Sequence, residues 1–186
     1  MTPLRPAVFL DRDGVINEAP VVDGKPTSPR HLNELHVASD APRACEVLKA
    51  CGFVLVVVTN QPDISRRLTD AVAVDAMNDH LLGCLPLDAA YVCPHDDRDG
   101  CSCRKPAAGL IMTAATSMDL DLGTSYMIGD RWRDIEAGRR AGCVTVHIDR
   151  NYAEPRPSSS DAVVESLFEA AEWIVADAAR KRNCID

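Results

Sequence analysis

The stretch FLDRDGVIN, residues 9–17, sets two acids, Asp11 and Asp13, on either side of Arg12 where an apolar run ends. Aspartate is a poor strand former and neighbouring carboxylates repel, so a purely structural role leaves the pair unexplained. The preceding run AVFL (7–10) is too continuously apolar to have a wet face, as expected of a strand covered on both sides. Such strands belong to parallel sheets, whose ligands bind beyond the carboxyl ends.

Four further runs read as strands of the same kind: FVLVVV (53–58), LDAAYV (87–92), TSYMI (124–128) and CVTVHI (143–148). Helical stretches separate them. Asp40 reads as the cap of a segment ended by Gly52, and Thr69 as the cap of one ending near Gly83. Pro106 reads as the opening of a third, and residues 131–141 form a fourth before Gly142. The alternation predicts an α/β fold, a doubly wound, mostly parallel sheet flanked by helices, in one domain over residues 1–186. Two pieces fall outside it. Residues 17–35, with Pro20, Gly24, Pro26 and Pro29, read as a flap inserted after the first strand. The tail opens with the breaker-rich AEPRPSSSD, and residues 161–182 read as a final helix. Its apolar stripe runs through Val163, Val164, Leu167, Ala171, Ile174, Val175 and Ala178. Packing on the core is expected of it, a dimer seam being the alternative.

The chain has 186 residues, 46% of them hydrophobic, enough for one sizeable core. A formal net charge of −8 argues against a nucleic-acid or anionic-membrane partner, since no basic stripe compensates the acidic excess. A small anionic substrate remains compatible if its pocket is locally basic. The opening residues contain no long apolar segment of the signal-peptide or anchor type, so a cytoplasmic monomer is expected. Of the eight cysteines, three crowd into residues 93–103, which favours metal binding over disulfides.

The strand ends carry polar groups: Asp11, Arg12 and Asp13; Thr59, Asn60 and Gln61; the Cys93 loop; then Gly129 and Asp130. Asp11 and Asp13 can aim at one locus while the chain turns at Gly14, and their repulsion then calls for a cation. Mg²⁺ fits, with Asp130 as a further ligand. YVCPHDDRDGCSCRKP holds Cys93, His95, Cys101 and Cys103, the four-ligand, cysteine-rich composition of a closed structural zinc site. Zinc there would fix where Arg104 and Lys105, which follow the last ligand directly, project. Taken singly, D-x-D-G is an Asx-rich turn, Thr59 a helix cap and Lys105 a solvated charge; taken together in this order they point to catalysis.

DRDGVIN, VVVTNQ, CRKP and MIGDRWRD, in that order, resemble the four signature motifs of the haloacid dehalogenase (HAD) superfamily of phosphatases. The resemblance implies that Asp11 is the nucleophile and Asp13 the general acid and base, whose backbone carbonyl joins Asp11 and Asp130 around Mg²⁺. It implies that Thr59, Asn60 and Lys105 hold the transferring phosphoryl group, and that Asp134 supports the metal or Lys105. Asp13 favours phosphoryl transfer over dehalogenation, which needs no acid for a leaving alkoxide.

The zinc loop narrows the resemblance to the HAD-like branch that contains the D-glycero-D-manno-heptose 1,7-bisphosphate 7-phosphatases and histidinol-phosphatases, which lack a large cap domain. It implies a Mg²⁺-dependent phosphatase of a small phosphorylated sugar, acting at the 7-phosphate of a heptose 1,7-bisphosphate. Histidinol phosphate or another small phosphomonoester is the alternative, and a non-catalytic phosphate- or zinc-binding module the reading of another class. Two departures fall where substrate would be contacted: a short loop between His95 and Cys101, and NQPDISRR in place of the usual NQSGIARG. Arg66 and Arg67 read equally as holders of a distal phosphate or as surface arginines. His31, His36, His80 and His147 read as surface or loop-packing residues and Trp132 as packing. Cys45, Cys51, Cys84 and Cys143 read as core, and Cys184 as part of a frayed end.

Overall fold

The structure is a computed structural model that describes residues 3–183. In chain order its main elements are β1 (Ala7–Leu10), the short hairpin β2 (Val21–Val22) and β3 (Lys25–Pro26), α1 (Ala41–Ala50), β4 (Val54–Asn60), α2 (Pro62–Ser65) and α3 (Ala71–Cys84). These are followed by β5 (Ala89–Cys93), α4 (Gly109–Met118), β6 (Tyr126–Gly129), α5 (Trp132–Ala141), β7 (Val144–Ile148), β8 (Ala162–Val164) and α6 (Leu167–Asn183).

Six strands form one parallel sheet in the order β5-β4-β1-β6-β7-β8. The alternation of side chains sorts each central strand onto two cores. Val8 and Leu10 of β1, with Leu55 and Val57 of β4, face a layer built from α1, α3 and α6. Phe9, Val54, Val56 and Val58 face α4 and α5 on the other side. Both faces are therefore covered, which is why the strands read as unbroken apolar runs. β1 lies at the centre, where the strand order reverses direction, so its carboxyl end opens into the crevice of the topological switch point.

Several local expectations need correction. The α3 cap is Asp70, whose carboxylate accepts from the Ala73 N–H at 2.8 Å, while the Thr69 hydroxyl donates to the Arg30 carbonyl. The third helix starts at Gly109 rather than at Pro106. Asp40 stands at the α1 N-cap without capping it; its Oδ2 accepts from the Phe168 N–H at 3.0 Å, in the first turn of α6. The predicted helix over 161–182 divides: residues 162–164 add a sixth strand, and the helix begins at Leu167. Asp161 starts that strand, accepting from both the backbone N–H and the hydroxyl of Thr145 in β7. Three residues, one of them the exposed Val163, give too short a pattern to separate from a helical stripe. Cys84 is exposed and Cys51 only half-buried, whereas Cys45 and Cys143 are core as expected; Cys184 lies outside the described residues. Among the described residues no helix is long and apolar enough to cross a membrane.

α6 closes the first layer by laying Leu167, Ala170, Ala171 and Ile174 onto α1 and the sheet. Ile174 is fully buried, so Ile174→Ala is expected to cost about 2–4 kcal/mol through lost transfer energy and a residual cavity. Urea unfolding followed by far-UV circular dichroism measures this; a loss below about 1 kcal/mol would mean that α6 contributes little to the core.

Candidate active site

The acids are delivered by backbone geometry. Asp11 prolongs β1 by donating its N–H to the Ile128 carbonyl of β6 at 3.0 Å, and the chain then folds back so that the Arg12 carbonyl accepts from Ile16 and Asn17. This turn requires Gly14, which has φ +87°, and a Cβ there would run into the Asp130 carboxylate. Gly129 meets the same demand on the neighbouring strand, since a Cβ would collide with the Asp134 side chain.

Asp11, Asp130 and Asp134 are all buried and present carboxylate oxygens within 4.8 Å of one another. Lys105, also buried, places its Nζ 2.8 Å from Asp11 Oδ1 and 2.6 Å from Asp134 Oδ1, and donates to the Val58 carbonyl at 2.7 Å. Burial works against its charge, but Asp11 and Asp134 outweigh it and hold the ammonium in its protonated form. One ammonium against three carboxylates leaves two negative charges in a desolvated site. Without a counter-ion, burial and the neighbouring Asp134 push the Asp11 carboxyl up to about 6, despite Lys105. Burial, Asp11 and Asp134 raise the Asp130 carboxyl well above its ordinary range too. Both Asp130 oxygens lack a hydrogen-bond partner among the described residues. Unsatisfied hard oxygen donors carrying an excess of two charges fit a divalent cation of the Mg²⁺ type.

Asp13 is arranged differently from the metal-facing role given to its neighbour. Its carboxylate accepts from Arg12 Nε (3.0 Å) and Nη2 (3.2 Å), Asn17 Nδ2 (3.0 Å) and Gln61 Nε2 (2.8 Å). Burial opposes its charge, yet the Arg12 guanidinium, with hydrogen bonds from Ser28 and Asn17, holds it below the ordinary carboxylate range. The third carboxylate of the buried trio is thus that of Asp134, not Asp13. Arg12, wholly buried, is itself oriented by Asn78 of α3 through Nη1 at 3.2 Å. Gln61 ties Asp13 to the end of β4 by also donating to Thr59 Oγ1 at 3.0 Å.

A cavity of about 40 Å³ lies over these groups, lined by Asp11, Asp13, Thr59, Asn60, Lys105 and Asp134 together with Pro26–Ser28, Arg131 and Arg133. Asn60 grips the backbone of Lys105 from both sides, donating to its carbonyl and accepting from its N–H, each at 3.0 Å. Arg104 does not reach this cavity. Its Nε donates to Asp97 at 2.7 Å and its Nη1 to the His95 carbonyl at 3.1 Å, and it lines an adjoining cavity of about 350 Å³. Arg66 lines that larger cavity too, paired with Asp96 and Asp63, whereas Arg67 lies on a separate surface hollow with His31. His147, expected in a loop or at the surface, is buried on β7, its Nε2 3.2 Å from the Asp130 carbonyl. Sequence reasoning passed over Arg131 and Arg133 and gave Gln61 no role beyond its place at a strand end. The alternation of arginines in DRWRD ahead of α5 was the available signal for the first two.

Cys93, His95, Cys101 and Cys103 converge so that one ligand atom of each lies within 4.8 Å of the others. The Cys103 sulfur is 3.2 Å from that of Cys93 and 3.3 Å from that of Cys101, and the Cys93–Cys101 separation is 3.7 Å. His95 Nδ1 lies 3.6 Å from Cys93 Sγ and 3.4 Å from Cys103 Sγ. A tetrahedral zinc with bonds of about 2.0–2.3 Å gives edges of about 3.5–3.8 Å, so the soft donor set is close to the size such an ion needs and a little tighter between its sulfurs.

Comparison with known proteins agrees with this geometry. A HAD-hydrolase-like family model matches residues 102–170. The D-glycero-beta-D-manno-heptose-1,7-bisphosphate 7-phosphatase of Bordetella bronchiseptica is 31% identical over 181 residues, covering 92% of this chain and 98% of the relative. The protein of the same name from Escherichia coli K12 is 32% identical, covering 91% and 88%. The crystal structure of the B. bronchiseptica D,D-heptose 1,7-bisphosphate phosphatase, complexed with magnesium and phosphate, superposes with a TM-score of 0.79 at 29% identity, over 92% of this chain and 99% of that one. A putative HAD-like phosphatase from Mesorhizobium loti gives a TM-score of 0.75 at 26% identity, over 96% and 89%. With four motifs converging on one crevice and relatives aligned along nearly its whole length, the chain belongs to the D-glycero-D-manno-heptose-1,7-bisphosphate 7-phosphatase family of HAD-type phosphatases.

Proposed function

We propose that this phosphatase removes the 7-phosphate of D-glycero-D-manno-heptose 1,7-bisphosphate, with Asp11 as nucleophile and Asp13 as general acid and base. The observation that carries the reading is the buried trio Asp11, Asp130 and Asp134, bridged by Lys105 and left with two uncompensated charges and an unpartnered Asp130. Asp11 and Asp130, with the Asp13 backbone carbonyl, would hold Mg²⁺. The ion, when bound, neutralises charge on the transferring group and lets two anions approach.

The remaining steps belong to the chain. An Asp11 carboxylate oxygen attacks phosphorus, the bond from phosphorus to the sugar oxygen breaks, and Asp13 gives its proton to that oxygen. Asp13 then takes a proton from water as the water oxygen attacks the aspartyl-phosphate, which returns Asp11 and releases phosphate. The donors around Asp13 hold it as an anion in the resting site, the state needed for the second step, so the proton it gives in the first step is taken up from solvent as substrate binds. Thr59 and Lys105 line the cavity where the transferred oxygens sit, and Asn60 acts on them by fixing Lys105. Zinc in the four-ligand site would be structural and would order the loop that carries Arg104 and Lys105.

Phosphate release should be measured with Mg²⁺ on both anomers of the heptose bisphosphate, histidinol phosphate and simple sugar phosphates. A strong preference for one heptose anomer is expected; even turnover across the panel would overturn the substrate assignment. Asp11→Asn should lose at least about 10³-fold in kcat with its fold intact by circular dichroism, and retained turnover would remove Asp11 from the nucleophile's role.

Metal and protons compete for the same carboxylates. Because Asp11 is raised to about 6 in the metal-free site, the stability it lends is full below its unfolded value near 4 and is lost as pH rises through about 6. Added Mg²⁺ should therefore raise Tm more at pH 7.5 than at pH 5.5. A gain that does not change between these values would exclude a cation at the buried trio.

Replacing Cys103 by alanine should lower bound zinc from about one ion per chain, by elemental analysis, and raise KM through disorder of the loop before Lys105. Wild-type protein purified without chelators and lacking zinc would defeat the assignment.

A further inference from the structure

The mouth of the catalytic cavity is basic although the chain carries a formal net charge of −8. Lys25, Arg30, Arg66, Arg104, Arg131 and Arg133 line the larger cavity against only three carboxylates, Asp63, Asp97 and Glu154. Most of these cations have an acid of their own. Arg131 donates through Nε to Glu154 at 2.7 Å, Arg66 pairs with Asp96 as well as Asp63, and Arg30 also reaches Asp63. Arg104 and Arg133 differ, because they share one acid. Asp97 Oδ1 accepts from Arg104 Nε at 2.7 Å and from Arg133 Nη1 at 3.0 Å, while its Oδ2 accepts from Arg133 Nη2 at 3.2 Å. Two guanidiniums on one carboxylate leave a positive charge without a partner.

That charge is held in place at the junction of the two cavities. Arg133, unlike Arg104, lines both the small catalytic cavity and the larger one. Its guanidinium carbon lies 5.0 Å from the centre of the Trp132 ring, and the forked contact with Asp97 fixes the plane of the head group. The transferring phosphoryl group already has Lys105 beside it, so an additional fixed cation one cavity further out serves a different anion on the same molecule.

We infer that Arg133, braced by Asp97 against Arg104, is a specificity-determining residue that binds a second phosphate of the substrate and makes this enzyme discriminate a sugar bisphosphate from the corresponding monophosphate. The inference rests on the phosphatase reading above and deepens it. Asp97 is a positioning residue in this arrangement, acting through the two arginines, and it also links the cysteine-rich loop to the start of α5.

The test compares heptose 1,7-bisphosphate with heptose 7-phosphate, which keeps the scissile group and lacks the second. For wild type, kcat/KM should favour the bisphosphate. Arg133→Gln should raise the bisphosphate KM by about tenfold or more with kcat within about threefold, and collapse the preference between the two substrates. Arg133→Lys should recover part of that preference, since it restores the charge without the fork. Asp97→Asn should shift the bisphosphate KM in the same direction by a smaller factor. Equal losses on both substrates in Arg133→Gln, or an unchanged preference, would overturn the inference while leaving the phosphatase reading standing. A wild-type enzyme that does not favour the bisphosphate would overturn the inference as well, and only a wild type that releases no phosphate from either substrate would overturn the phosphatase reading.

Discussion

The structure depends on one buried ammonium. Lys105 lies between Asp11 and Asp134 and donates a third bond to the Val58 carbonyl, so it ties together the ends of β1, β4 and α5's first turn. Removing Lys105 would leave three buried carboxylates without their cation, at a cost of about 3–5 kcal/mol, so the acids depend on it. Asn60 grips Lys105 through its backbone, and the cysteine-rich loop immediately precedes it. Gly14 and Gly129 sit where any side chain would strike Asp130 or Asp134. The glycines, the amide and the acids are one arrangement, built to bring three carboxylates closer than they would settle without a cation.

That arrangement explains why the two acids of DRDG have unlike surroundings. Asp11 faces a carboxylate cluster and Lys105; Asp13, two residues on, faces Arg12, Asn17 and Gln61. The intervening Arg12 is wholly buried and turned onto Asp13, which offsets much of the second carboxylate's charge beside the trio. Environment, not residue type, separates two chemically identical groups, the same principle by which paired carboxylates take up distinct acid and nucleophile roles.

Much of this was legible in the sequence because its signals are local. The apolar runs of β1 and β4 have buried faces on both sides, and the polar residues at their ends land in one crevice because parallel strands present their carboxyl ends together. The cysteine spacing marked a cluster for a similar reason, since its ligands come from one short loop. What escaped depends on contacts between distant segments. Asp40 serves α6 rather than its own helix because residue 168 folds back onto it, 128 positions away. β8 exists because Asp161 bonds Thr145, and neither residue alone signals a strand. Arg131 and Arg133 sit in a recognised motif, but the side to which they project is set by Glu154 and by Asp97, from a loop after β7 and from the cysteine-rich loop.

The same division runs through function. Chemistry resides on strand ends fixed by the sheet, whereas the mouth is assembled from the flap at Lys25–Ser28, the loop at Asp97 and Arg104, and the first turn of α5. The loop and the helix turn are joined by ion pairs through the half-exposed Asp97, and exposed pairs of this kind contribute little stability each. A rim held by charges can exchange partners with an incoming anion: a phosphate oxygen competes for the guanidinium that Asp97 now shares. The acid that orients the arginines thus also sets how much charge is left for the substrate, so substitutions at Asp97 and Arg133 are coupled and their effects on KM will not add.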